Sequence, residues 1–397
     1  TTIKLMDEIT VKATETVREL TIDRAITLVN GDRDPVLTLK RPLTIAEGGS
    51  LTLEGNVYLY PCDSMEVNGG VTVGAGCGVS FEVEESSLTI HEGGTVTTVR
   101  TTDAEIASSG LLSLGQDAAL TVEGTLVNNG RLSVSNMANL KKAAGIGGEL
   151  TLYSMTITEN YTLDMQGNLL TISDFLRFEN NANLTVKNAS KVEATDVTIS
   201  GGSYYCPVTV GDNEGRITGG SFYGPVTVRE QGGGQSAPIS GGTFYDGLNG
   251  SYLIQGHKVT FMNGDSKYAM QVVADGGKAS APDAPSKDGY RLTGWYTDDG
   301  KKFNFEEDTV TENITLTARW TLDRYTISYD LNGGTANGNP DSYTVESKEI
   351  TLNAPARPGY TFIGWSGTGL TGESNLTVTI EKGSTGDRSY TAHWSYN

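Results

Sequence analysis

Acid–base and metal chemistry need side chains that converge, and few in this chain are spaced to do so. His91, His257 and His393, the only three histidines, are scattered over different segments. None has a sequence neighbour at the spacing of a metal site or a Ser–His–acid triad. Paired carboxylates, which polysaccharide cleavage requires, are offered at Glu84-Glu85 after "VSFEV" and at Asp298-Asp299 within "TDDG". The first pair reads as a corner and the second as a polar turn. In "NGDRDP", 30–35, Asn30, Asp32 and Asp34 alternate and could offer oxygens to calcium. The distal glutamate of an EF-hand is missing and Pro35 follows at once, so this too reads as an acidic turn. With no phosphate loop and no nucleophile elbow in the sequence, the expectation is a protein without catalytic residues, cofactor or metal.

The side chains that do recur at fixed spacing are aromatic. "ISGGSYYCPVTV" at 199–210, "ITGGSFYGPVTV" at 217–228 and "ISGGTFYDG" at 239–247 are successive copies, offset by eighteen and then twenty-two residues. If copies stack, Tyr204, Phe222 and Phe244 form one column and Tyr205, Tyr223 and Tyr245 another. The first tolerates loss of the hydroxyl, as an internal stack would. The second is tyrosine throughout, which suits rings with one wet end. Tyr205, Tyr223 and Tyr245 are therefore the candidate ligand-binding residues, a ladder able to accept sugar faces or a protein strand. The competing reading is that both columns pack against a coil corner or cover the junction with the C-terminal part of the chain.

The elements that would hold these columns are short strands. Apolar-polar-apolar triplets recur every six to eight residues: "LTL" at 37–39, "LTI" at 43–45, "LTL" at 51–53, "VYL" at 57–59, "MEV" at 65–67 and "VTV" at 71–73. A helix would need apolar residues three and four apart over a longer window. Three such steps sum to about twenty-one residues, one coil of a three-sided solenoid. The expected fold of 1–255 is a right-handed parallel β-helix. A β-sandwich is the alternative, but its strands are usually longer. "AAGIGG" at 143–148 and "REQGGGQSAP" at 229–238 read as loops, and 2–20 reads as a terminal cap with room for a short amphipathic helix.

Beyond residue 255 the rule changes. "DGYRLTGW" at 288–295 returns as "PGYTFIGW" at 358–365, and "TARW" ending at Trp320 returns as "TAHW" ending at Trp394. The spacing of about seventy residues suits two small domains, 256–321 and 322–397. Simple alternation places Tyr290, Leu292 and Gly294 on one strand face and Arg291, Thr293 and Trp295 on the other. In the second copy it sets Tyr360 and Phe362 against Ile363 and Trp365. The tryptophans read as core of domains too small for many core residues. "YTISYDLNGGT…RPGYTFIGW…YTAHW" resembles the Listeria/Bacteroides, or internalin B type, repeat. "KVTFMNGD…KDGYRLTGWYTDDGKKFNF…NITLTARW" resembles a less regular member, with "FMNGD" in place of "YDLNGG". The resemblance implies compact β-grasp-like units, used in tandem on bacterial surface proteins and carrying no catalytic residues.

Composition narrows the remaining classes. Acidic residues outnumber basic ones by nineteen (48 less 29), with no Lys/Arg cluster. Such a surface repels phosphate backbones and anionic lipid, so nucleic acid is excluded as a partner and membrane-surface binding is disfavoured. No apolar run reaches spanning length, so no direct membrane insertion is expected. The chain reads as a trimmed or mature ectodomain, with any export signal or anchor outside it. Cys62, Cys77 and Cys206 are too few for a disulfide scaffold; Cys62 and Cys77 could face each other on neighbouring coils or remain free buried thiols. The expected function is that of a non-enzymatic extracellular protein of the bacterial cell surface, an adhesin or spacer presenting its β-helix to a glycan or surface protein. The alternative is a polysaccharide-active β-helix enzyme with accessory repeats.

Overall fold

The computed structural model describes residues 2–5, 9–11, 20–30, 36–39, 42–61, 64–81, 86–90, 92, 95–98, 111–115, 118–122, 125–128, 130–143, 146–195, 197–211, 215–229, 237–335 and 338–397. The "NGDRDP" segment beyond Asn30, the Glu84-Glu85 pair, Cys62 and His91 lie outside them. Two units emerge: residues 1–259 with 269–279 and 309–313, and residues 260–268, 280–308 and 314–397.

In the first unit the triplets wind into parallel faces. One face runs from Thr2–Leu5 through Ala25–Asn30, Ser50–Glu54, Gly70–Val73 and Thr95–Thr98 to Thr125–Asn128. A second begins at Ile9–Val11 and continues through Arg131–Val134 to Leu248–Gly250, and a third stacks Leu20–Ile22 to Ala119–Val122. Registers are direct: Thr27, Thr52, Thr72 and Thr97 are successive partners outside, and Leu28, Leu53 and Val73 are successive partners inside. Alternation explains this. The middle residue of each triplet faces solvent while its neighbours face a core in which Ile45, Leu53, Leu59, Val67 and Val73 are fully buried. Thr2–Leu5 and Ile9–Val11 already pair in register with the following coil. The expected cap at 2–20 is therefore a first coil in its described strands, because a triplet with a free neighbour can pair whatever its apolar regularity.

Among the described residues the coil is interrupted by a helix that the apolar pattern does not announce. Met137–Ala143 is the one α-helix among the described residues, with Met137, Leu140 and Ala143 buried at three-residue spacing. Asn136 caps it, accepting the Asn139 N–H at 2.8 Å. Asn139 then stands in for a strand. Its Oδ1 accepts the Leu120 N–H at 3.1 Å and its Nδ2 donates to the Ala118 carbonyl at 2.8 Å. Those are the two bonds a next parallel strand would make, so a side-chain amide ends the third face at Ala119–Val122. Asn139→Leu is expected to leave the Leu120 N–H unpaired and the Ala118 carbonyl with only its longer bond from Asn136 Nδ2, 3.3 Å, at a cost of about 1–3 kcal/mol. Amide exchange at Leu120 should speed up accordingly in the variant.

After the helix, Glu149–Ile157 and Leu169–Phe178 turn a corner without leaving their ladder, through a bulge after Tyr153. New faces then form, one of them built from Tyr161–Asp164, Leu184–Lys187, Ser203–Tyr204, Ser221–Phe222 and Thr243–Phe244. Ala237–Ile239 is a strand paired to Ile217 and to Tyr252–Ile254, so residues 237 and 238 do not belong to the loop expected at 229–238, of which 230–236 lie outside the described residues. The glycine pairs of the repeat have separate jobs. A Cβ on Gly241 would lie 2.0 Å from the Thr218 carbonyl oxygen of the preceding coil, and Gly242, at φ +102°, leaves room for the Phe244 ring. The face closes when Thr243 and Phe244 pair antiparallel with Gln271 and Met270, and Gln271 Nε2 donates to Thr243 Oγ1 at 2.9 Å.

The second unit holds the strands that carry the repeated Gly-Tyr and Trp motifs. Tyr325–Asp330 runs parallel to Arg388–Tyr396, which pairs antiparallel with Tyr360–Gly367; in the other repeat Tyr290–Tyr296 pairs antiparallel with Ile314–Leu322. Each Gly-Tyr step turns a cation back onto its ring: Lys287 Nζ lies 3.9 Å from the Tyr290 centroid and the Arg357 guanidinium 3.7 Å from that of Tyr360. The expected alternation fails inside both motifs. A bulge between Leu292 and Gly294, repeated between Phe362 and Gly364, shifts the register by one residue. Leu292 thus faces Trp320 while Trp295 faces Ala318, so Leu292 and Trp295 share a face; Phe362 and Trp365 do likewise, with ring centroids 5.4 Å apart. Only glycine suits the bulge, since φ is +143° at Gly294 and +145° at Gly364.

Candidate functional site

Both aromatic columns form as the repeat spacing predicts. Tyr204, Phe222 and Phe244 are register partners, 0%, 0% and 1% exposed, and stack at 5.2 and 5.1 Å. Tyr204 keeps a partner for its hydroxyl, which donates to the Gly201 carbonyl at 3.2 Å, and burial pushes its pKa up. Next to it the Cys206 thiol is pushed up by burial to about 11, so it is no nucleophile near neutral pH. Cys77 and Cys206 are free and buried.

Tyr205, Tyr223 and Tyr245 form the outer column. Their backbone N–H groups each donate at 2.9 Å to the preceding coil, to Val186, Tyr204 and Phe222 carbonyls respectively. Those bonds set the rings one above another. Tyr205 and Tyr223 stack at 4.1 Å with planes 2° apart, and Tyr223 and Tyr245 at 4.7 Å with planes 6° apart. Lys187 Nζ lies 5.5 Å from the Tyr205 centroid, a cation capping the outer ring. Tyr205 is 49% exposed and the other two are half-buried.

The spacing changes what the ladder can do. Rings 4.1 to 4.7 Å apart occupy each other's faces, so no sugar ring fits between them, and Lys187 covers one end. What remains outward is a row of ring edges and phenol groups at coil spacing. Ser203, Ser221 and Thr243 run alongside as successive register partners. The surface is amphipathic and regular, suited to a flat partner more than to a stacked sugar.

The histidines are less isolated than their sequence positions imply. His257 Nε2 lies 2.8 Å from Asp275 Oδ1. His393 Nε2 lies 2.6 Å from Ser366 Oγ, and its Nδ1 lies 3.7 Å from Glu373 Oε2. Spacing along the chain offered neither histidine a partner, and the fold supplies one to each. The pairing of Gly364 with His393 across the sheet brings residues twenty to twenty-seven positions apart together, which spacing along the chain could not reveal. Ser366 sits opposite Thr391 in an antiparallel pair, and the Glu373 side chain is 71% exposed. The contact cross-links two strands, and Glu373 stays beyond hydrogen-bond reach of the ring. Asp298 and Asp299 form the expected turn, with Asp299 accepting from the Thr297 hydroxyl and from the Lys301 N–H. Among the described residues no group of three or more His, Cys, Asp or Glu side chains could hold a metal, and no helix is long and apolar enough to cross a membrane.

Comparison with known proteins agrees with the two-repeat reading. Residues 257–319 match the Listeria-Bacteroides repeat domain, and residues 325–397 match the divergent InlB B-repeat domain. Internalin H of Listeria monocytogenes is 36% identical over 104 residues, 25% of this chain and 18% of that protein. An Evansella cellulosilytica protein provisionally described as a membrane protein is 32% identical over 127 residues, 30% of this chain and 19% of its own. A second from that organism, provisionally described as a Gly-rich membrane protein, is 29% identical over 121 residues, 30% of this chain and 14% of its own. The chain therefore spans less than a fifth of the length of each of these relatives.

Proposed function

We propose that this chain is a contact segment of a bacterial surface protein, adhesin-like and non-catalytic, in which the repeats act as spacer or auxiliary modules and the solenoid presents the binding surface. Two kinds of support meet here. Residues 257–319 and 325–397 match repeat families of the Listeria-Bacteroides and InlB type, and the chain is similar in part to an internalin and to a protein provisionally described as a membrane protein, and the solenoid carries the Tyr205, Tyr223, Tyr245 ladder on its outside. The ladder is the observation that carries the finer reading. Ring edges and hydroxyls in a straight row favour a protein surface as partner, because the ring faces a glycan would use are taken up within the stack.

The test is a triple variant, Tyr205→Ala, Tyr223→Ala and Tyr245→Ala, immobilised beside the parent chain and offered to cells, purified extracellular proteins and a glycan array. The parent is expected to retain a protein partner that the variant binds at least about tenfold more weakly, as loss of an aromatic hot spot does. Unaltered melting would show that the fold survives. Undiminished binding by the variant would reduce the ladder to a structural device.

A further inference from the structure

A second surface, on other coils and independent of the tyrosine ladder, has the features of a ligand site. Where Leu111–Leu114, Arg131–Val134 and Glu149–Ile157 lie side by side, their outward side chains line a groove of about 510 Å³. That volume is typical of small-molecule sites. Its floor is a hydroxyl ladder, with Ser113, Ser133 and Thr151 as successive register partners. Ser133 and Ser135 are only 8% and 6% exposed, so the floor is polar surface already withdrawn from bulk water.

The rims differ. Arg131 is exposed at one side and Tyr153, 49% exposed, at the other. They are separated by about 13 Å along the strand and about 5 Å across it, from four residues and one coil. Unlike the tyrosines of the ladder, Tyr153 has no ring stacked on it among the described residues. The bulge that follows it re-aims the chain. Ser154 at φ +49° and Asp174 at φ +68° hold left-handed backbone there, and Ser154 Oγ donates to the Asp174 carboxylate. Backbone in that region is uncommon for non-glycine residues and concentrates where a site must be shaped.

Charge and chemistry select the occupant. Among the described residues no carboxylate lines the groove, although acids outnumber bases by nineteen in the chain; Glu149, the register partner of Arg131, is not among the lining side chains. The charge of the described lining is that of the Arg131 guanidinium, whose planar fork matches a carboxylate. Hydroxyl groups both donate and accept, as sugar hydroxyls require. An extended peptide has less to hold, because the strands of this floor are paired on both sides and offer no free edge for strand addition.

We propose that this groove binds an acidic oligosaccharide, with a uronate carboxylate on Arg131, sugar hydroxyls on the Ser113–Ser133–Thr151 floor and a ring C–H face on Tyr153. Calorimetric titration of the full chain with trimers of galacturonate, glucuronate and mannuronate, and with neutral trimers of the parent hexoses, tests it. At least one acidic trimer should bind, its neutral counterpart more weakly, and the binding should fall as salt rises. Arg131→Gln and Tyr153→Ala should each weaken that trimer about tenfold, with circular dichroism unchanged, whereas Tyr205→Ala should leave it alone. Failure of every acidic trimer, equal binding of the neutral ones, or unchanged affinity in the Arg131 variant overturns the proposal. Because the tyrosine-ladder variant is titrated in parallel, loss of one site is distinguishable from loss of the other.

Discussion

Phe222→Ala is expected to destabilise the first unit by about 3–5 kcal/mol, the cost of deleting a fully buried aromatic ring. Phe222 is the middle member of the inner column, fully buried, with Tyr204 stacked on one face and Phe244 on the other. Its removal takes contacts from both neighbouring coils and leaves a cavity between two coils that hydrogen bonds hold in place. A solenoid owes its stability to such nearest-neighbour interfaces, so the loss should be felt beyond one coil. Tyr223→Ala, one residue on, deletes a ring that is partly in water and should cost several times less. In urea, the circular dichroism transition should move to lower denaturant for Phe222→Ala and much less for Tyr223→Ala. Equal effects of Phe222→Ala and Tyr223→Ala would contradict the assignment of inner and outer columns.

Trp365→Ala should be as damaging to the repeat at 325–397, again by about 3–5 kcal/mol. Trp365 is 0% exposed and packs edge-on to Phe362 at 5.4 Å, with Tyr329 at 5.9 Å and Tyr390 at 6.5 Å. It also carries a cost: its Nε1 is buried without a hydrogen-bond partner. An unsatisfied buried donor is worth about 1–3 kcal/mol of destabilisation. Trp365→Phe discards that donor along with part of the ring, so it should lose less than half of what the alanine variant loses. Fluorescence of the three remaining tryptophans and urea titration report both variants. If Trp365→Phe proves as harmful as Trp365→Ala, neither the ring volume it retains nor the loss of the orphaned N–H offsets the substitution, and both premises fail.

How much of this was legible beforehand differs by feature. The triplets specified parallel coils because a two-residue period with one buried face fixes register: "VTV" at 208–210 could only stack on "VTV" at 226–228 with valines inside. The repeated glycine-aromatic step likewise announced its two columns, since equal copies must superpose when coils do. Alternation misled where a residue was inserted into the count. The bulges at Gly294 and Gly364 bring Trp295 and Trp365 to the same face as Leu292 and Phe362, and nothing in the local apolar pattern marks such a slip. Met137–Ala143 went unread because one buried stripe in seven residues is too short to declare a period.

Site chemistry was less legible still. Tyr205, Tyr223 and Tyr245 could be placed in a column from the sequence, but whether their faces were open to a ligand depended on ring planes and a 4.1 Å spacing that only packing sets. Ser366 and His393 met through cross-strand register, and the serines of the groove looked like ordinary solvent-side residues until neighbouring coils walled them in. The linear order of residues by itself determined the coil, the doubled aromatic repeat and the absence of a basic surface, because each arises from short-range periodicity or composition. Tertiary structure alone decided which polar side chains converge, since convergence here is made by stacking residues about twenty positions apart, and a small change in strand register moves a side chain to the opposite face.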